Sequence, residues 1–171
     1  AIVDPPYGME KSSSKGSGKL KNRKLNTSDI TQWDKKPDKE YFEELFRVSK
    51  NQIIWGGNYF DLPPTRCIVC WDKVQPWENF SQIELAWTSF DSPAQIYKLD
   101  NRTGDKIHPC QKPIKLYEWL MIKYAEKGQR ILDTHLGSGS SSIAADILGF
   151  NFVGIELDKE VGGNISTLYE N

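Results

Sequence analysis

The chain has no apolar run that approaches membrane-spanning length and no stretch that reads as a secretory signal, so neither a bilayer span nor a cleaved leader is expected. Cysteine is scarce. Three in 171 residues, an odd number, argue against a disulfide framework and for a reducing, cytoplasmic setting. Cys67-x-x-Cys70 has no second Cys-x-x-Cys to complete a zinc site, and residues i and i+3 on an extended strand face opposite ways. Core cysteines are therefore expected, and no metal. Neither sign of charge is in excess: 22 Lys and Arg stand against 23 Asp and Glu, a net charge of −1. No global basic field draws this protein to nucleic acid, and any such binding needs a local patch. An initiator Met is also missing, the chain opens inside a strand-like run, and further residues are expected before Ala1. No internal repeat is present.

What remains is enough for one domain spanning 1–171, and it is rich in aromatics, with six Trp, seven Tyr and seven Phe. Residues 9–36 combine Ser, Gly and Lys and read as a mobile basic loop. Pro37-Asp38 opens a helix whose apolar face is Tyr41, Phe42, Leu45 and Phe46. Ile53-Ile54-Trp55 is a short strand stopped by Gly56-Gly57, and Cys67 to Trp71 is another. Residues 72–107 mix aromatics with turn formers and are expected to hold one strand plus loops. A helix follows Pro113, Arg130 to Asp133 is a strand, Ser141 to Leu148 a helix and Phe152 to Glu156 a strand. This alternation predicts an α/β fold with a mostly parallel twisted sheet and helices on both faces.

Two constellations carry chemistry. Asp4-Pro5-Pro6-Tyr7 follows the apolar run Ala1-Ile2-Val3 and so lies at a strand end. A residue before proline is pushed to extended backbone, which aims Asp4 off the strand. The two prolines fix successive φ angles and offer carbonyls without N–H groups, and Tyr7 adds a flat stacking surface. Together they suit a planar heterocycle that carries an amino group. The second constellation, Asp133 to Ser140, lies between a strand and a helix. Gly137 and Gly139 let backbone pass close to a ligand, beside the free N–H groups of the helix start. Ser142 stands where a dinucleotide fingerprint wants a third glycine, while Glu156 ends the next strand, where it could take both hydroxyls of a ribose. That combination suits a nucleoside-type cofactor, with Leu157 along its adenine.

At these residues the chain resembles the amino-group DNA methyltransferases that use S-adenosylmethionine. Adenine-specific members carry Asp-Pro-Pro-Tyr, matched by residues 4–7. Their cofactor motif, Asp-Pro-Phe-x-Gly-Ser-Gly-Thr, is matched in outline by residues 133–140, and their His-Pro-Thr-Gln-Lys-Pro by His108-Pro109-Cys110-Gln111-Lys112-Pro113. The order, catalytic motif first and cofactor motif last, is that of the beta class, a circularly permuted Rossmann-like fold. Thr134-His135 departs from Pro-Phe, and Cys110 from a hydroxyl.

The resemblance implies transfer of a methyl group to the N6 amine of an adenine flipped out of DNA. Asp4, Pro5, Pro6 and Tyr7 would be catalytic. Cys110, Gln111, Lys112, Asp133, His135, Gly137, Ser138, Gly139, Ser140, Glu156 and Leu157 would line the cofactor. Lys19, Lys21, Arg23 and Lys24 in the basic loop, and Arg102 within a target-recognition region at 72–107, would contact DNA. A homodimer is one expected assembly, and the setting bacterial or phage-encoded. Cytosine-N4 methylation, where relatives more often carry Ser in place of Asp4, and a nucleic-acid-binding protein without activity are the alternatives.

Overall fold

In the computed structural model, which describes residues 1–8, 35–76, 80–100 and 111–157, helices separate the strands except over residues 53–98, where strands follow one another with no α-helix between them. In chain order these are β1 (Ile2–Val3), α1 (Lys39–Val48), β2 (Ile53–Trp55), a single 3-10 turn (Gly57–Tyr59), β3 (Ile68–Asp72), β4 (Ile83–Thr88), β5 (Gln95–Lys98), α2 (Ile114–Tyr124), β6 (Arg130–Asp133), α3 (Ser140–Leu148) and β7 (Asn151–Gly154). The start of α1 is set by Asp38, whose carboxylate accepts the Tyr41 N–H at 3.0 Å, with Glu40 in the first turn and Arg47 in the last complementing the helix dipole. Pro113 stands at the N-cap of α2. Gly149, in the left-handed region at φ 70°, ends α3.

β1, β2, β4, β3 and β5 hydrogen-bond in that order, and β6 pairs with β7. β6 also packs beside β1, so the layer runs β7-β6-β1-β2-β4-β3-β5. β1–β2, β3–β5 and β6–β7 are parallel, whereas β4 is antiparallel to both of its neighbours. The parallel-rich α/β architecture expected from the sequence is present. Residues 72–107, however, supply two strands rather than one. β5 reads Gln-Ile-Tyr-Lys with alternating half-buried and exposed positions, and so short and polar an edge strand leaves little periodic signal.

Alternation along β2 shows how the layers are filled. Ile53 and Trp55 enter one core with Leu116, Leu120 and Met121 of α2 and Ala144 and Ala145 of α3. Ile54 enters the other, with Phe42 and Leu45 of α1. Each of the buried Ile, Leu, Met and Phe side chains among these contributes about 1.5–3 kcal/mol on burial. Helices thus cover both faces. From β1 the chain builds the sheet outward in one direction, and from β6 in the other. Such a reversal opens a crevice at the strand ends.

Candidate active site

Asp4 leaves the end of β1 half-buried, and both of its carboxylate oxygens are engaged. Oδ1 accepts the Tyr7 hydroxyl at 2.8 Å, and Oδ2 accepts the Lys112 ammonium. Burial first, and then the Asp4 charge, hold the Tyr7 phenol protonated well above its ordinary range. The Tyr7 ring stacks on Tyr59 at 4.9 Å, with the edge of Phe60 at 6.1 Å. Gly56 makes room for it. At φ +67° this residue takes a conformation that side chains disfavour, and a Cβ there would lie 2.2 Å from a Tyr7 ring carbon. The Gly56-Gly57 stop that ends β2 is therefore also the seat of the motif's aromatic ring.

The loop after β6 is braced from within. Asp133 is 1% exposed; its Oδ1 accepts the His135 N–H at 3.0 Å and its Oδ2 the Ser141 hydroxyl at 2.6 Å. Burial pushes this carboxyl up to about 6, the Asp4 charge adds to the rise, and the two hydrogen bonds oppose it. Asp133, expected to line the cofactor, ties the loop to the first turn of α3. His135 packs edge-on against Tyr41, its Nδ1 3.1 Å from the Thr134 hydroxyl, while Tyr41 and Thr134 share a 2.7 Å hydrogen bond. Burial holds the imidazole below its usual value. Thr134-His135, the departure from the motif, thus docks α1 onto the loop. Gly137 and Gly139 take left-handed φ of 52° and 77°, and the Gly137 N–H donates to Glu156 Oε2 at 2.7 Å. Ser138 and Ser140 hydroxyls lie 3.2 Å apart. Leu157, beyond β7, is 91% exposed.

Residues 111 and 112 join the two motifs. The Gln111 side-chain amide donates to the Ser140 hydroxyl at 3.2 Å, while Lys112 reaches Asp4. Lys112, expected beside the cofactor, is buried under the Asp-Pro-Pro-Tyr turn, 3.1 Å from Glu84 Oε2 and with its ammonium 5.1 Å from the Trp55 ring centre. Burial opposes its charge, but the Asp4 and Glu84 carboxylates overcome this and hold it above the ordinary lysine value. Glu84 pairs in turn with Lys73 at 2.5 Å. Burial pushes its carboxyl up, but the two lysines prevail and hold it below the usual range. Sequence reasoning passed over Glu84, Lys73 and Tyr59. A signal existed for Glu84: it shares a strand face with Ala86 and Thr88, both buried, where a carboxylate needs a partner.

Of the remaining sequence expectations, Cys67 is buried with its sulfur 3.5 Å from the Tyr124 hydroxyl, and Trp71 and Trp87 are core residues. Cys110, Lys19, Lys21, Arg23, Lys24 and Arg102 lie outside the described residues, as does residues 9–34 of the basic loop.

Two crevice-facing motifs on a parallel-rich sheet, one a Pro-rich acidic turn and the other a glycine loop closed by an acid on the next strand, define a Rossmann-like methyltransferase layout. The DNA methylase family profile for N6 and N4 enzymes matches residues 52–162, and the chain belongs to that family. It is 42% identical over 115 residues to the Type II methyltransferase M2.DpnII of Streptococcus pneumoniae, covering 67% of this chain and 40% of that protein. To M2.MboI of Moraxella bovis it is 28% identical over 142 residues, 82% of this chain and 49% of the relative. The chain thus spans less than half the length of these relatives. In fold it is similar to the crystal structure of the M1.HpyAVI–SAM complex, with TM-score 0.57 and 22% identity over 94% of this chain and 83% of that one. It is also similar to the cytosine-N4-specific PvuII DNA methyltransferase, with TM-score 0.53 and 13% identity over 94% of this chain and 76% of that one. Among the described residues no helix is long and apolar enough to cross a membrane.

Proposed function

We propose that the protein transfers a methyl group from S-adenosylmethionine to the exocyclic N6 amine of an adenine extruded from DNA, within one catalytic domain. The observation that carries this reading is the meeting of Asp4 and the 133–140 loop across a single bridge, Gln111 to Ser140 and Lys112 to Asp4. The glycine loop fits a nucleoside-type cofactor. An added Cβ at Gly137 would meet nothing nearer than the His135 carbonyl at 3.9 Å, and the Ser142 hydroxyl turns inward to the Gly139 carbonyl at 2.7 Å. Gly137, Ser138, Gly139, Ser140, Gln111 and Glu156 would hold the group, with Leu157 at the rim. When bound, it supplies an electrophilic sulfonium methyl.

The rest is the chain's own chemistry. An adenine amine is a poor nucleophile because its lone pair is delocalised into the ring. With the Asp4 carboxylate and the Pro5 carbonyl each accepting one N–H, the nitrogen pyramidalises and its lone pair turns out of the ring plane. These bonds tighten as positive charge grows on nitrogen, so they favour the transition state. Tyr7 and Lys112 hold the carboxylate in one orientation, which removes much of the reorganisation that alignment would otherwise need. A base within a duplex cannot reach this turn and must be extruded, with the Tyr7–Tyr59 pair as its stacking surface. Contacts to DNA phosphates are assigned to Lys19, Lys21, Arg23 and Lys24, and to Arg102 in the recognition region. The Type II names of the bacterial relatives support a place in a restriction–modification system.

Incubation with labelled S-adenosylmethionine and unmethylated DNA, followed by nucleoside analysis, tests the reading. The expected product is N6-methyladenine. N4-methylcytosine would move the acceptor to cytosine, and DNA binding without any methylated base would leave a nucleic-acid-binding protein.

A further inference from the structure

Lys73, Glu84, Lys112 and Asp4 alternate in sign along a path from just beyond the end of β3, past β4, to the end of β1. The Lys112 side chain is 5% exposed and that of Lys73 is 11% exposed, so the chain of charges is held largely away from water. Stability does not account for it. Buried ion networks seldom surpass well-packed apolar side chains of similar volume, because desolvation offsets their attraction. The orientation of one atom adds a second clue. Glu84 Oε2 is buried and lies 3.1 Å from the Lys112 nitrogen, a looser contact than the one Lys112 makes with Asp4. The ammonium, with three N–H donors, reaches Asp4 on one side and Glu84 on the other.

We propose that Glu84 is a positioning residue that shares the Lys112 ammonium with Asp4, so that the Asp4 carboxylate keeps the strength to accept an N–H of the acceptor amine. The role rests on the methyltransferase reading above. A carboxylate has about four acceptor positions, so Tyr7 and Lys112 leave room on Asp4 for the amine. The difficulty is electronic rather than steric. An ammonium that had Asp4 as its only anion would neutralise it more fully, weakening each further bond. Glu84 opposes that pull from the other side, and Lys73 fixes Glu84 by its far oxygen. As the amine engages Asp4, Oε2 is the acceptor toward which Lys112 can shift its charge and strengthen its contact. Glu84 touches no reacting atom and acts through Lys112.

The test uses Glu84→Gln, Glu84→Asp, Lys112→Met and the Lys112→Met/Glu84→Gln pair, read by single-turnover methylation of DNA, calorimetric cofactor titration and thermal unfolding. Glu84→Gln, which keeps shape and loses charge, is expected to slow methyl transfer about tenfold or more while cofactor affinity stays within about twofold. Glu84→Asp, which restores the charge one methylene further back, recovers part of the rate. In the Lys112→Met background Glu84→Gln adds less than about twofold, because its effect passes through the missing ammonium. Should Lys112→Met not fold, the comparison of Gln with Asp at 84 decides alone. A full rate in Glu84→Gln, an equal loss in both backgrounds, or Asp and Gln variants that slow alike would each overturn the role. A parent protein that methylates no base would overturn the methyltransferase reading and the role with it. A parent that methylates beside a fully active Glu84→Gln overturns the role alone.

Discussion

Replacing Asp4 by Ala separates two contributions that meet on one carboxylate. At the site it removes an acceptor that tightens mainly in the transition state, a loss of about 2.7–4 kcal/mol in the barrier, or roughly 10²–10³ in rate. Beneath the site it strips an anion from the buried Lys112, whose side chain is 5% exposed. Breaking an isolated buried pair costs about 3–5 kcal/mol. Here Glu84 remains 3.1 Å away, so the lost charge-assisted hydrogen bond is the better measure, about 1.5–3 kcal/mol. A domain of this size shifts its midpoint by about 2–4 °C per kcal/mol, giving a fall of roughly 3–12 °C. A strand-end aspartate that simply faced outward would leave stability untouched. Thermal unfolding measures the second term, and single-turnover methylation at saturating cofactor and DNA the first. An unchanged midpoint would refute the ion pair with Lys112. A variant that transfers methyl groups at near the parent rate would reduce Asp4 to a turn residue and remove the amine mechanism.

Gly56→Ala places a methyl group 2.2 Å from the Tyr7 ring at a φ of +67°. The expected outcome is a displaced Tyr7, at least about 1–2 kcal/mol of lost stability and slowed methyl transfer with cofactor binding retained; normal rates would show that Tyr7 needs no such seat. Glu156→Ala removes the acceptor for Gly137 N–H and the carboxylate proposed for the ribose, and is expected to weaken S-adenosylmethionine binding by about 2–3 kcal/mol without altering DNA affinity. Calorimetric titration with unchanged affinity would remove that assignment. Burial raises the Asp133 carboxyl to about 6, above its value of 3.8 in the unfolded chain. Between these values the folded state binds the extra proton, so the stability this group contributes is present at low pH and lost as pH rises from about 4 to 6, by roughly 2–3 kcal/mol. Asp133→Asn should flatten that slope in denaturant melts across the window, and an unaltered slope would show that the carboxyl titrates normally.

The sequence by itself determined the parts whose cause is local. Pro37-Asp38 announces α1, Gly56-Gly57 end β2, and the apolar positions of Leu116 and Leu120 mark the face of α2. Both site motifs were legible for the same reason: a Pro-Pro turn and a Gly-x-Gly turn dictate their own backbone from adjacent residues. The tertiary structure decided everything that depends on partners distant in the chain. Asp4 and Lys112 are 108 residues apart, and no periodicity shows that one will neutralise the other. Glu84 reads as one polar residue in a strand until β4 is placed antiparallel between β2 and β3, which turns its face toward Lys112. Asp133 stands in a motif by sequence, and only folding shows that its carboxylate accepts from Ser141 and the His135 amide. A charged side chain's role is set by what shares its low-dielectric surroundings. Those surroundings form only when the strands are laid side by side.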